Sequence, residues 1–374
     1  MVTSSVTATT FLRGYLRFLR EAGWDVTLVC DDGPGVIELA GASGVRYEPL
    51  HMEREPSPLE DARSLVQCAR LLRRLRPDVL VYATPKASLI GAVAGWLVRV
   101  PGRNYELWGL RLETSAGFSR RLFALLERLT MVLSSRVIAN SASLAQRVSA
   151  LGLNGGREVF VLGAGSSHGV DTERYSEEAT MPDLDADVKA MLQRSPAPIV
   201  GFVGRLHPDK GVDTLIDALR ICSQRSVAAQ LLVVGAQEGV TLDTGIEGPI
   251  PIPVHAAGFT QEVRPLLRAM DILVLPSRRE GFPNVVLEAG AMKVPAIVSD
   301  ATGCVDAVID GVTGVVTPVG DAHALASALE TLLTDPDRRE SMGAAARAWS
   351  EEAFVPTAVW RLHSDCWAGE GGVR

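Results

Sequence analysis

Glu280 and Glu288 stand eight residues apart in the stretch EGFPNVVLE, with Gly281, Phe282, Pro283 and Asn284 directly after the first. A carboxylate can accept two hydrogen bonds at once, which suits it to the vicinal hydroxyls of a ribose or a sugar. Pro283 suits a first helical turn, where its missing N–H is not needed. The spacing predicts a helix from about Pro283 to Met292, with Glu280 on the loop before it and Glu288 about 1.5 turns inside. The amides of residues 281–285 would form the donor end of that helix and attract anions. The stretch reads as a clamp for a sugar at one end and a ribose at the other, with a diphosphate between.

A diphosphate needs cations. The stretch GFVGRLHPDKG supplies Arg205 and Lys210 on the loop after another expected strand of the same sheet. Arginine presents a planar fork and lysine a mobile point charge. Taken singly, each of the four charged residues is also explained as a solvated loop residue or a helix-dipole partner. Together, on two strand-end loops of one sheet, they read as a site. No metal is expected: the DLD of 183–185 lies in a polar linker and the six histidines are scattered. The run VLGAGSSHG has the glycine pattern G-x-G-x-x-x-G and leads into VDTERY rather than a clear helix, so it does not make a nicotinamide site. Its glycines suit a backbone that passes close to a ligand or bends. His168 within it is either a site residue or a hydrogen-bonded structural one.

The elements that must position these residues alternate. In the first half, DVTLVC (25–30), PDVLVYA (77–83), SSRVIANS (134–141) and EVFVLGAG (158–165) read as strands. FLRGYLRFLREAG (11–23) reads as a helix ended by Gly23. PLEDARSLVQCARLLRRLR (58–76) reads as another, with acids in its first turn and arginines in its last. The second half repeats the scheme with IVGFVG (199–204), AQLLVVGA (229–236), VHAAGF (254–259), DILVLPS (271–277), VPAIVSD (294–300) and TGVVTPVG (313–320). Helices are expected between these strands and over 321–350, and a Gly/Pro-rich loop before 254. The fold class is α/β: two doubly wound, Rossmann-like domains with parallel sheets. The seam is expected in the polar stretch 170–195.

A chain of 374 residues suits two domains of ordinary size. Residues 1–175 carry 21 Lys and Arg against 17 Asp and Glu, and residues 176–374 carry 16 against 27. The first half is mildly basic and the second acidic, too weak an imbalance to suggest nucleic acid. The apolar run at 87–98 is too short to span a bilayer and reads as a buried helix. The N-terminus lacks the pattern of a signal peptide, and five scattered cysteines fit a reducing, cytoplasmic setting. FSRRLFALLERLTMVLSSRV (118–137) mixes Arg120, Arg121 and Arg128 with apolar residues at helical spacing. It fits either a core-packed helix with a solvated arginine face or a basic helix on the inner membrane surface.

The stretches GFVGRLHPDKGVDTLIDAL, LLVVG, DILVLPSRREGFPNVVLEAGAMKVPAIVSD and GVTGVVTP resemble the C-terminal half of retaining family-4 glycosyltransferases. FLRGYLRFLREAGWDVTLVC, SSRVIANSASLAQRV and VFVLGAGSSHGVD are similar to the branch that builds bacterial polysaccharides and lipid-linked oligosaccharides. The resemblance implies the GT-B fold, with domains over 1–170 and 171–353 and a helix over 354–374 that crosses back to the first. It implies a metal-independent hexosyl transfer from a nucleoside diphosphate sugar, by family frequency UDP-linked, to an acceptor hydroxyl. Arg205 and Lys210 would contact the diphosphate and Glu280 the donor sugar. The backbone of Gly281, Phe282, Pro283 and Asn284 would line the donor, and Glu288 would bind the ribose.

Two features depart from the family pattern. VTSSVTATTF stands where many members have a Gly-rich loop, after a first strand that looks shortened by the start at Met1. NYELWGLRLET lacks the histidine many members carry, so Arg111 or Glu113 would occupy that acceptor side. The acceptor is a lipid-linked saccharide or a soluble natural product. A GT-B nucleotide-sugar 2-epimerase or a non-catalytic partner subunit are the competing classes.

Overall fold

Apolar runs bounded by turn residues become parallel strands, and the amphipathic stretches between them become the helices that cover the sheets. A computed structural model describes residues 1–53, 57–240 and 250–371. Contacts divide the chain into two units: Met1–His168 together with the chain from Pro356 onward, and Gly169–Val355.

The first unit contains β1 (Thr27–Cys30), β2 (Arg46–Pro49), β3 (Val79–Ala83), β4 (Gly102–Leu107), β5 (Arg136–Ala139) and β6 (Phe160–Val161). β1 pairs with β2, and β3 to β6 pair in sequence order, all parallel. Residues 1–3 join the two sets. Val2 N donates to Val29 O at 3.0 Å on one side, and Ala83 N donates to Met1 O at 3.1 Å on the other. The strand order therefore reverses between residues 1–3 and β3, the mark of a doubly wound sheet. The helix expected over 11–23 is two helices, Ser5–Phe11 and Tyr15–Glu21. Gly14, at φ 79°, breaks the run, and a Cβ there would lie 3.1 Å from the Trp360 ring. Pro58–Leu75 is helical with Glu60 and Asp61 in its first turn and Arg73 and Arg74 in its last, as the dipole favours. Pro85–Leu97 is the buried helix expected from its composition, and Gly117–Leu133 lies beside it.

The second unit contains β7 (Ile199–Val203), β8 (Gln230–Val234), β9 (Val254–Gly258), β10 (Ile272–Leu275), β11 (Ala296–Ser299) and β12 (Gly314–Thr317). The order is β12-β11-β10-β7-β8-β9, with every pair parallel. β8, β10 and β11 are buried along their length, which is why they read as unbroken apolar runs. Val212–Gln224 covers β7 and ends where its apolar stripe ends. The stretch 170–195, expected to be a weakly structured seam, lies in this unit from Gly169 and closes with the helix Ala186–Arg194. Its polar composition hid a stripe in which Val188 and Met191 are buried. Part of the Gly/Pro-rich loop before β9, residues 241–249, lies outside the described residues.

Candidate functional site

Ligands of doubly wound sheets bind outside the carboxyl ends of the strands, where the order reverses. In the second unit those strands are β7 and β10, paired Val200 to Ile272 and Gly201 to Leu273. The loop after β7 carries Arg205 and Lys210, and the loop after β10 carries Glu280. Gly211 lets the first loop pass under the second: it sits at φ 65°, and a Cβ would come 2.0 Å from Pro276 O. Gly303, after β11, serves Glu280 and Gly281 the same way, at φ 79° with a Cβ position 2.3 Å from Gly281 O.

The two loops are tied together by charge. Lys210 Nζ forms an ion pair with Glu280 Oε1, and Ser277 Oγ donates to the same oxygen at 2.8 Å. The two side chains are only 18% and 15% exposed, so little solvent screens the pair. Glu280 N donates to Thr302 O at 2.9 Å, which fixes the backbone of the loop. Arg279 reaches Asp209 at 2.6 Å and Arg278 donates to Pro208 O at 3.1 Å, so both arginines of RREGFPN brace the β7 loop. Arg205 pairs instead with Glu238, on the loop after β8.

The helix expected from Pro283 to Met292 runs Asn284–Ala291, with Pro283 as N-cap and Met292 as C-cap. Gly281, Phe282 and Pro283 are buried, and Phe282 packs 5.4 Å from the Phe354 ring. Asn284 is half-buried. Glu288 lies well inside the helix, and its carboxylate accepts from the Tyr175 hydroxyl. Burial pushes its pKa up to about 7, against the opposing pull of that hydrogen bond and of the Arg174 charge. Burial and the facing Glu288 push Tyr175 up as well. The structure thus places Lys210 with Glu280 at the head of the helix and Glu288 with Tyr175 further along it.

The candidates of the first unit do not share one place. Arg111 and Glu113 lie on the turn Arg111–Thr114 beyond β4. The Arg111 guanidinium stands 5.0 Å over the Phe123 ring, and Glu113 accepts from Arg147 Nε at 3.1 Å. His168 sits between Phe11 and Trp108, with ring centroids at 4.8 and 5.0 Å. Its Nε2 is buried without a hydrogen-bond partner. Burial, aided by the His363 charge, lowers its pKa to about 3, so the ring is neutral. Nearby in this unit, His363 Nδ1 and Trp367 Nε1, both on the helix Pro356–Gly371, reach Glu106 Oε1 at 2.9 and 3.1 Å. At the order reversal of this sheet Thr84 holds φ 70°, and its Oγ1 lies 2.7 Å from Thr3 Oγ1.

Residues 197–335 match the family model described as Glycosyl transferases group 1, and residues 7–163 match the model described as Glycosyl transferase 4-like domain. The capsular polysaccharide biosynthesis glycosyltransferase CapM of Staphylococcus aureus is 31% identical over 355 residues, covering 93% of this chain and 91% of that protein. The chain belongs to the group 1 glycosyltransferases.

A further relative of this glycosyltransferase is the N,N'-diacetylbacillosaminyl-diphospho-undecaprenol alpha-1,3-N-acetylgalactosaminyltransferase of Campylobacter jejuni. It is 26% identical and covers 76% of this chain and 75% of that protein. The crystal structure of Anabaena HepE in complex with UDP and glucose shares the fold, with a TM-score of 0.76 at 20% identity over 98% of each chain. The fold is GT-B, built from two parallel-sheet α/β units. Sequence reasoning missed several residues of the glycosyltransferase that surround the expected ones. Tyr175 and Arg174 fell in a stretch read as linker. Ser277 gave no signal beyond its place at a strand end. Glu238 could have been found, because a loop after the strand next to β7 faces the same edge of the sheet.

Proposed function

We propose that this glycosyltransferase moves a sugar from a UDP-sugar to a hydroxyl of a lipid-linked saccharide during polysaccharide assembly, with retention of the anomeric configuration. The observation that carries this reading is the Lys210–Glu280 pair at the β7–β10 reversal, with Glu288 on the helix that follows. Glu280 takes hydroxyls of the donor sugar, and Lys210 with Arg205 takes the diphosphate. The helix end at 281–285 adds its dipole, and Glu288 takes the ribose hydroxyls. The names of CapM and of the Campylobacter enzyme support the polysaccharide and lipid-linked assignment, and the UDP bound to HepE supports the nucleotide.

In the proposed reaction the bond between the anomeric carbon and the diphosphate oxygen breaks, and negative charge grows on the leaving phosphate. Lys210 and Arg205 stabilise that charge as it develops, the largest lever available to such a step. The acceptor oxygen approaches the same face, bonds to the anomeric carbon and gives its proton to the departing phosphate. No protein nucleophile takes part in this scheme, and turnover is expected to persist in EDTA.

Calorimetric titration with UDP and GDP, on the wild type and on Glu288→Ala, tests the donor site. UDP binding that is lost in the variant supports the reading. GDP binding in its place moves the donor to the GDP-sugars, and no binding of either overturns the site. A screen of UDP-sugars with lipid-linked and soluble acceptors then separates the acceptor classes.

A further inference from the structure

The helix Pro356–Gly371 holds a loop of the first unit as well as its sheet. The loop is GAGSSH, residues 163–168, which follows β6 on the carboxyl side of that sheet. Gly163 sits at φ 57°, and a Cβ there would lie 3.0 Å from Leu362 Cδ1 on the helix. Ser166 sits at φ 60°, a conformation a serine rarely takes. Its N–H donates to Asn140 O at 2.7 Å, and its Oγ accepts from His168 N at 3.3 Å. The loop ends on the His168 ring, packed between Phe11 and Trp108. Phe11 is 41% exposed, so this aromatic group borders solvent. The carboxyl side of a doubly wound sheet is the side on which ligands bind.

The donors and acceptors around His363 fix its state. The ring is buried, with Nδ1 2.9 Å from Glu106 Oε1, and that oxygen also accepts from Trp367 Nε1 at 3.1 Å. The ring also hydrogen-bonds the backbone of Ser166. The Ser166 N–H is taken by Asn140 O, so its carbonyl is the group that accepts. Two acceptors therefore face one imidazole, which donates from both nitrogens only when charged. Burial opposes that charge, but Glu106 and the Ser166 bond outweigh it and raise the pKa. Loss of the proton would set a bare ring nitrogen against an acceptor oxygen. The other titratable groups packed here keep their charge states. Tyr15, on Tyr15–Glu21, is pushed well up by burial and by Glu106 and stays neutral. His168 is neutral, and the Arg136 guanidinium on β5 is held by Cys366 O.

We propose that His363 is a positioning residue: donating from both ring nitrogens, to Glu106 and to Ser166, it pins the loop 163–168 and sets the place of His168 against Phe11 and Trp108. The bearing of that aromatic group on the acceptor rests on the reading of the first unit as the acceptor side, whereas the pinning of the loop does not. Ring-nitrogen NMR of histidine-labelled protein and hydrogen exchange of the loop test it. At neutral pH His363, assigned by its loss in His363→Gln, is expected to carry protons on both nitrogens. His363→Gln is expected to lower protection of 163–168 about 10- to 100-fold, the worth of a hydrogen bond from a charged group, and to leave β3, β4 and β5 unchanged. In the wild type the pinning is fully present below the ordinary pKa of 6.5 and is lost as pH rises through the raised folded value, so loop protection falls across that midpoint. Glu106→Gln is expected to lower the midpoint by about one to three pH units. Should a variant fail to fold, the wild-type spectra and pH series decide. UDP titration reads the donor site separately, so a wild type that binds no UDP overturns that site and not the pinning. A neutral His363 ring at neutral pH overturns the proposal, as does loop protection that His363→Gln leaves unchanged or lowers equally across the first unit.

Discussion

The Lys210 ammonium and the Glu280 carboxylate, 70 residues apart in the chain, meet in an ion pair between the loops that leave β7 and β10. In the proposed reaction Glu280 binds the donor sugar and its partner Lys210 lies where charge grows on the leaving phosphate. Lys210→Ala is expected to lower kcat about 10²- to 10³-fold while UDP affinity falls less than about tenfold. Steady-state kinetics beside calorimetry checks this, and equal losses in both would remove Lys210 from its assigned role.

Arg205 is paired with Glu238, so in the proposed donor site a diphosphate would compete for it. Glu238→Gln keeps the shape of the side chain and removes the charge. UDP should then bind about three- to fivefold more tightly, the size of a modest exposed ion pair. Titration at two salt concentrations measures the gain, which shrinks as salt rises.

The Tyr175 hydroxyl favours the charged form of Glu288. Removing it with Tyr175→Phe raises the Glu288 pKa further above about 7, so less carboxylate is present at neutral pH. UDP affinity should fall about fivefold at neutral pH and recover as pH rises. A pH series of titrations would show the affinity midpoint displaced upward from that of the wild type.

Glu127 is pushed up to about 7 by burial, against the pull of the Tyr105 hydrogen bond. Its folded pKa lies above the ordinary value of 4.5, so the folded state binds more protons than the unfolded state between those two values. The stability it contributes is fully present below the unfolded pKa and is lost as pH rises through about 7. Glu127→Gln removes this dependence, and melting curves should show the variant gaining on the wild type by up to about 3 kcal/mol across that window.

Gly303 lies at φ 79°, with its missing Cβ aimed at Gly281 O. Gly303→Ala is expected to cost about 1–3 kcal/mol in stability through backbone strain. It should also weaken UDP binding, because the displaced segment is the one that carries Glu280. Thermal melting and titration of the same preparation check both effects.

Much of this was legible because β7, β8, β10 and β11 are buried and read as apolar runs, and because Pro283 marks a helix start. The helix Val212–Gln224 falls where its stripe predicts. What stayed hidden depends on tertiary context. β4 presents Asn104 and Glu106 to the interior, which no reading of apolar runs can anticipate. β2 is short and largely polar, and Ser5–Phe11 is a helix rich in Ser and Thr, against propensity. The partners Tyr175 and Glu288 are joined only by the fold. For Gly117–Leu133 periodicity revealed two faces, and the fold turns inward the one with Glu127, Thr130 and Met131, where Glu127 accepts from the Tyr105 hydroxyl.

The return of Pro356–Gly371 to the first unit sets an order of manufacture. A chain synthesised from its N-terminus lays down β4 early, and with it the buried Glu106 carboxylate. His363 and Trp367, which reach that carboxylate, are made more than 250 residues later. Until they emerge, the Glu106 carboxylate lacks both of these partners. The second unit, by contrast, is continuous in sequence and has all its residues in hand by Val355. The domain begun first is therefore finished last, and its apolar sheet face must be kept from aggregating while the rest of the chain is made.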